Sequence, residues 1–116
     1  MYAHFLGAQL RPDYTDEACR IYNEVLLERH RQARGYAASM LLTDLDTGKI
    51  LLVGFWNSES DVTSHRTSGG LLADIEAFRG VLAAPPLTEV YEVTSVNSLR
   101  QVPDRGCPAA AYRSAL

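Results

Sequence analysis

The chain has 116 residues and a formal net charge of −3; 47% of its residues are hydrophobic and 22% are charged. These values suit one globular domain and exclude a disordered chain or a strongly basic nucleic-acid-binding protein. No apolar run reaches the length of a membrane span and no signal peptide is apparent, so we expect a cytoplasmic protein without a nucleic-acid or membrane partner.

The first two elements are a strand and a long helix. Residues 1–10 are apolar on both alternating faces, which is typical of a strand covered on both sides, and Pro12 ends it. Residues 13–35 predict an amphipathic helix capped by Asp13 or Thr15, with Gly35 as the left-handed residue after its end. Its predicted apolar stripe consists of Ala18, Ile21, Tyr22, Val25 and Leu26.

The middle of the chain predicts a hairpin followed by helical segments. Two apolar runs, residues 36–44 and 49–56, flank a turn that contains Gly48. Ser58 and Asp61 then have the spacing of a capping box, which predicts a helix start. After RTSGG, a second amphipathic helix follows, and its stripe consists of Leu71, Ile75, Phe78 and Leu82.

Residues 87–96 predict the last strand, so the element order is β-α-β-β-α-β. This order predicts a ferredoxin-like α+β domain over residues 1–96, with helices on one face of an antiparallel sheet. Residues 97–116 form a C-terminal tail that is either loose or packed on a partner subunit. Apolar residues on both strand faces predict that a second copy covers the free face, which makes the protein a homodimer.

Three segments, ARGYAASMLL, GKILLVGFWNSESDVTSH and APPLTEVYEV, resemble in order and spacing the antibiotic-biosynthesis monooxygenase-like domains of the dimeric α+β barrel superfamily. The resemblance covers about residues 2–95. It implies two protomers whose sheets pack together and a ligand cavity between each sheet and its own helices. Members include cofactor-free monooxygenases that oxidise polycyclic phenols to quinones, and also haem degraders.

The chain matches these two activities only in part. The quinone-forming enzymes are similar in having a tryptophan that Trp56 matches, but their asparagine four positions earlier is Leu52 here. Haem degraders have an asparagine on the first strand, where residues 5–7 are Phe, Leu and Gly. They also have a tryptophan near the position of His65 and a histidine about ten residues later, where residues 74–76 are Asp, Ile and Glu.

We therefore expect a cofactor-independent monooxygenase that acts on an aromatic or polyketide-like molecule. Trp56 is the candidate for holding a flat ligand, or it packs at the strand end under the next helix. His65 is the candidate base, because a phenolate donates an electron to O₂ more readily than a phenol; alternatively it is a partly exposed histidine at a helix end. His4 is a second candidate base, pointing to the cavity or to the partner.

Further residues complete the expected site. Tyr36 and Tyr91 are candidates for hydrogen bonds to a ligand, or they pack in the core or interface. Arg66 could bind an anionic group, or its segment could form a mobile mouth of the pocket. His30, between two arginines, is expected to be solvated.

The histidine and cysteine spacing shows no ligand pattern, so no metal and no other cofactor is expected. Two alternatives remain for the function. One is a non-catalytic ligand-binding or stress-responsive barrel dimer, and the other is a haem-binding or haem-degrading protein.

Overall fold

Four antiparallel strands form one sheet in the order β2-β3-β1-β4. In the computed structural model, which describes residues 1–97 and 106, the strands are β1 (Tyr2–Gln9), β2 (Tyr36–Asp44), β3 (Lys49–Trp56) and β4 (Leu87–Glu92). The helical segments are α1 (Thr15–Ile21), a π-helical segment (Tyr22–Leu26), α2 (Leu27–Arg31), α3 (Glu59–Thr67), α4 (Gly70–Phe78) and a 3₁₀ turn (Arg79–Val81). The predicted ferredoxin-like α+β fold is confirmed.

The hairpin between β2 and β3 has the predicted bounds. The carboxylate of Asp44 accepts hydrogen bonds from the backbone N–H groups of Asp46 and Thr47, at 3.0 and 3.3 Å. Gly48 has a φ of 74°, a left-handed conformation that favours glycine. The turn therefore fixes the register in which β2 and β3 pair.

Strand β4 is shorter than the predicted 87–96. It pairs with β1, and β1 begins at Tyr2. The N–H of Val93 still reaches the carbonyl of Met1 at 2.9 Å, but beyond this pair β1 offers β4 no further residue. The predicted tail from residue 97 lies, apart from Asn97 and Gly106, outside the described residues.

The first long helix begins and bends differently from the prediction. Tyr14 is its N-cap and makes no side-chain capping bond, so neither Asp13 nor Thr15 has the expected role. Asp13 instead has a left-handed φ of 67°. Within the π-helical segment the N–H of Leu27 bonds to the carbonyl of Tyr22, five residues earlier. This wider turn rotates Val25 out of the predicted stripe, and Val25 is 41% exposed.

The core lies between the helices and one face of the sheet. Leu6, Ile50 and Leu52 point to this face and meet Leu26 and Phe78 from the helices. His4 shares a strand parity with Leu6, and Trp56 shares one with Leu52, so both side chains lie on the helix-covered face. The core therefore continues into a polar region at the end of the sheet where His4 and Trp56 lie.

The other face of the sheet carries exposed apolar side chains. Met40, Leu42, Leu87 and Tyr91 are each at least 40% exposed. An apolar hollow of about 540 Å³ lies at one end of the sheet, and its lining includes Leu42, Leu51 and Leu87. Among the described residues, none of the helices has the length and apolar character needed to cross a membrane.

Candidate functional site

Four titratable side chains from four different elements meet at one end of the core. They are His4 on β1, His30 on α2, His65 on α3 and Asp74 on α4. Their exposed fractions are 5%, 4%, 8% and 2%. Burying groups of this kind is costly unless they pair with one another, so their contacts define the site.

Asp74 is the centre of this cluster. His30 donates from Nε2 to Oδ2 of Asp74 at 2.9 Å, and Nε2 of His65 lies 3.3 Å from the same oxygen. Arg29 donates from Nη2 to the other oxygen, Oδ1. Burial alone would raise the pKa of Asp74, but the hydrogen bonds from His30, His65 and Arg29 outweigh it and hold the pKa well below its usual range. Asp74 is therefore ionised at neutral pH.

His4 lies at the edge of the cluster. Its ring meets that of His65 edge-on, with centroids 6.0 Å apart. Its Nε2 is buried and has no hydrogen-bond partner within residues 1–97 and 106. Burial chiefly, and then the charges of His65 and Arg66, lower the pKa of His4 to about 4. His4 is therefore neutral at physiological pH and a weak base.

Trp56 covers the cluster from the sheet side. Its ring is tilted 30° to that of His65, at a centroid distance of 4.7 Å. Tyr36 meets Trp56 edge-on at 6.0 Å and donates its hydroxyl proton to Oγ of Ser39 at 3.1 Å. Trp56 is 2% exposed, so it packs as a strand-end tryptophan while also lining the site.

A cavity of about 180 Å³ opens onto this cluster. His30, Trp56, His65 and Gly70 are among the residues that line it. A Cβ atom added at Gly70 would lie 2.5 Å from Nδ1 of His65, which is closer than non-bonded atoms approach. Gly70 therefore keeps the space beside this imidazole nitrogen free.

The structure brings together most, but not all, of the predicted site residues. Trp56, His65 and His4 lie in one cluster, with Tyr36 beside it. Tyr91 lies on the opposite face of the sheet, where it meets Phe5 edge-on at 5.6 Å. Arg66 is exposed and acts on the cluster through its charge on His4.

Two predictions about histidines are wrong. His30 was expected to be solvated but is buried, because Tyr22, Leu26 and His30 follow one another at four-residue spacing on the inward side of the helix. His65 lies in the last turn of α3, as expected of a histidine at a helix end, but it is buried and not partly exposed, since it lies one turn after the buried Val62. Its role as a base stays a prediction.

The sequence interpretation did not assign a role to Asp74. A signal for it exists, because Asp74 lies three residues after Leu71 and four before Phe78, within the apolar stripe of α4. An acid at such a position is buried and needs a partner. Local spacing in the sequence also gives no sign that ligand atoms of His30, His65 and Asp74 come within 4.8 Å of one another.

Comparison with solved structures identifies the fold. A Streptomyces coelicolor monooxygenase from the gene ActVA-Orf6, in complex with nanaomycin D, superposes with a TM-score of 0.69 at 14% identity, covering 84% of this chain and 91% of that one. Rv0793 of Mycobacterium tuberculosis gives 0.66 at 20% identity, with coverages of 84% and 98%. A candidate antibiotic biosynthesis monooxygenase of Nitrosomonas europaea gives 0.65 at 18% identity, with coverages of 82% and 100%.

These likenesses show that the chain has the ferredoxin-like α+β fold of antibiotic-biosynthesis monooxygenase-like proteins. No protein family model matches the chain, and no curated protein sequence matches it significantly.

Proposed function

We propose that the protein is a monooxygenase that acts on a small aromatic or polyketide-like molecule without a bound cofactor. The observation that carries this proposal is the buried His65, which is paired with Asp74 and lines a cavity together with Trp56. The fold supports the same class, because the Streptomyces coelicolor protein with this fold is a monooxygenase that binds nanaomycin D.

His65 serves as the base in this proposal. Its Nε2 faces the carboxylate of Asp74, so Nδ1, beside Gly70, is the nitrogen that takes a proton from the substrate. Asp74 stabilises the imidazolium that forms, as the aspartate of a catalytic triad does. The substrate anion then transfers an electron to O₂, and one oxygen atom becomes the new carbonyl of the product. The other oxygen atom leaves as water with two hydrogens of the substrate, which are both CH₂ hydrogens in an anthrone, and the O–H hydrogen and one ring hydrogen in a phenol.

The cavity volume restricts the substrate. A cavity of about 150 Å³ holds a benzene ring, and the cavity beside His65 measures about 180 Å³. It therefore accommodates one ring, which Trp56 contacts from the sheet side. A larger substrate leaves its other rings outside the cavity.

Oxygen uptake with a panel of phenols and anthrones tests the proposal. The His65→Gln and Asp74→Asn variants should each lower kcat by about 100-fold or more, since general base catalysis contributes at least that factor. The matched control is Glu76→Gln, an exposed acid two residues from Asp74 on the same helix, which should retain full activity. Oxygen uptake that is as fast in His65→Gln as in the unaltered protein would overturn the proposal.

A non-catalytic ligand-binding protein is the second candidate, because Leu52 stands where the similar quinone-forming monooxygenases have an asparagine. In this case aromatic ligands should raise the melting temperature of the protein without any oxygen uptake. Turnover of any of the same ligands would exclude this candidate.

We further propose that a second copy of the chain covers the outer face of the sheet. The exposed Met40, Leu42, Leu87 and Tyr91 support this, because a contiguous apolar face of a sheet is unfavourable in water. The apolar hollow beside Leu42 and Leu87 would then close at the interface. The cluster around Asp74 lies on the other side of the sheet and is complete within one chain.

A further inference from the structure

The three side chains that meet at Asp74 also have the chemistry of a metal-ligand set. His30 and His65 both present Nε2, and Asp74 presents a carboxylate oxygen, with all three atoms within 4.8 Å of one another. Two imidazoles and one carboxylate are a recurrent ligand set for iron and zinc in proteins. All three side chains are more than nine-tenths buried.

The two distances from Asp74 to the histidine nitrogens suit coordination. With metal–ligand bonds of about 2.1 Å, neighbouring donors lie about 3.0 Å apart in an octahedral site and about 3.4 Å apart in a tetrahedral one. Oδ2 of Asp74 lies 2.9 Å from Nε2 of His30 and 3.3 Å from Nε2 of His65. The two histidine nitrogens lie within 4.8 Å of each other, so an ion that replaces the imidazole protons would draw the two rings together.

We propose that His30, His65 and Asp74 form a binding site for one divalent transition-metal ion, of the class of Zn²⁺, Fe²⁺ or Co²⁺. Imidazole nitrogen favours these ions over Mg²⁺ and Ca²⁺, which prefer oxygen ligands. Three protein ligands leave at least one coordination position open, and the adjoining cavity supplies room there for water or a small ligand.

Arg29 supports this site from the side of the carboxylate. Its guanidinium binds Oδ1 of Asp74, which fixes the plane of the carboxylate and leaves Oδ2 facing the two histidines. Groups that orient a ligand in this way commonly change metal affinity by about 10–100-fold. Arg29 is thus a positioning residue and not a ligand.

This inference does not depend on the proposed monooxygenase activity, and the two are alternative uses of the same side chains. Once Nε2 of His65 binds an ion, Nδ1 carries the remaining ring proton and can no longer accept one from a substrate. A metal-loaded protein therefore lacks the free base of the cofactor-independent reaction. Oxygen uptake is measured in the presence of EDTA, without any metal, and metal binding is measured without any substrate. The two proposals can therefore fail independently.

Titration of tag-free, EDTA-stripped full-length protein with Zn²⁺ against a chromophoric chelator tests the site, and Co²⁺ absorption spectra report the coordination. One ion should bind per chain, and His30→Ala, His65→Gln and Asp74→Asn should each weaken binding by about 100-fold or more, since ligand loss exceeds the loss of an orienting group. Arg29→Gln should weaken it by about 10-fold.

His4→Ala is the matched control, because His4 is the one remaining histidine and is buried beside the site without bonding to Asp74. It should keep the stoichiometry and the Co²⁺ spectrum. Circular dichroism of each variant establishes that it is folded, and His65→Gln preserves the side-chain volume best. Binding that is equally tight in His30→Ala and His65→Gln, or well under one ion per chain in the unaltered protein, would overturn the proposal.

Discussion

At the scale of single residues, Gly70 shows how closely the site is packed. An alanine there would place Cβ 2.5 Å from Nδ1 and 2.9 Å from Cε1 of His65. Because the imidazole is held by Asp74 and Trp56, Gly70→Ala should lower the free energy of unfolding by about 1–3 kcal/mol, as overpacking of a core commonly does. Urea denaturation measures this change.

Gly80 provides the control for this substitution. A Cβ atom at Gly80 would have no heavy atom within 4 Å in the described part of the chain, and its φ is not in the left-handed range. Gly80→Ala should therefore leave the free energy of unfolding within about 0.5 kcal/mol of the original value. Equal effects of the two substitutions would show that His65 is not held where the structure places it.

His4 makes the stability of the protein depend on pH. Its pKa is lowered to about 4 in the folded chain, mainly by burial and then by the charges of His65 and Arg66, although Asp74 opposes this and His30 adds a smaller lowering effect. The unfolded chain takes up this proton near pH 6.5, so stability is fully present above about pH 6.5 and falls as the pH decreases towards 4. Between about pH 7.5 and 5 the loss from His4 should be about 2 kcal/mol.

Urea denaturation in EDTA-containing buffer at both pH values measures this loss. In His4→Gln the group that titrates is absent, so the free energy of unfolding should decrease less over the same interval. The remaining decrease belongs to the other titratable groups of the chain. A decrease as large in His4→Gln as in the unaltered protein would contradict the assigned pKa.

At the scale of elements, the start of α3 depends on one capping residue. The hydroxyl of Ser58 accepts the N–H of Asp61 at 3.2 Å, as the capping-box spacing predicts. Ser58→Ala should cost about 1 kcal/mol of stability, as the loss of an N-cap commonly does. Ser60→Ala should cost clearly less, because the Ser60 hydroxyl, two residues further on, bonds within the described part of the chain only to the Ser58 hydroxyl; thermal melts measure both losses. A smaller loss for Ser58 than for Ser60 would contradict the capping role.

Local patterns in the sequence predict these elements well, but they do not predict the site. Apolar runs around a Gly-containing turn set the bounds of β2 and β3, because period and turn chemistry are local properties. The cluster joins residues 4, 30, 65 and 74, whose separations have no local period. His30 continues the four-residue spacing of Tyr22 and Leu26, but the partner that its burial requires, Asp74, lies 44 residues away in the sequence.

At the scale of the whole molecule, the sheet divides the chain into two parts with different roles. The helix-covered face holds both the core and the polar cluster, so the packing that buries this face also brings the site residues together. The outer face contributes no side chain to the cluster among the described residues. Substitutions on the outer face can therefore change assembly while leaving the site around Asp74 intact.

This separation makes the proposed dimer testable without disturbing the site. The double variant Leu42→Asp, Leu87→Asp would place two charges in the proposed interface, where unpaired charges are strongly unfavourable. The molecular mass measured by sedimentation velocity at micromolar concentration should fall from twice the 12.8 kDa of one chain to the mass of a single chain. Leu72→Asp is the control: Leu72 is 62% exposed but lies on α4, away from the outer face, and its substitution should leave the dimer intact. A monomeric unaltered protein, or a dimer that persists in the double variant, would show that the exposed apolar face is not the interface.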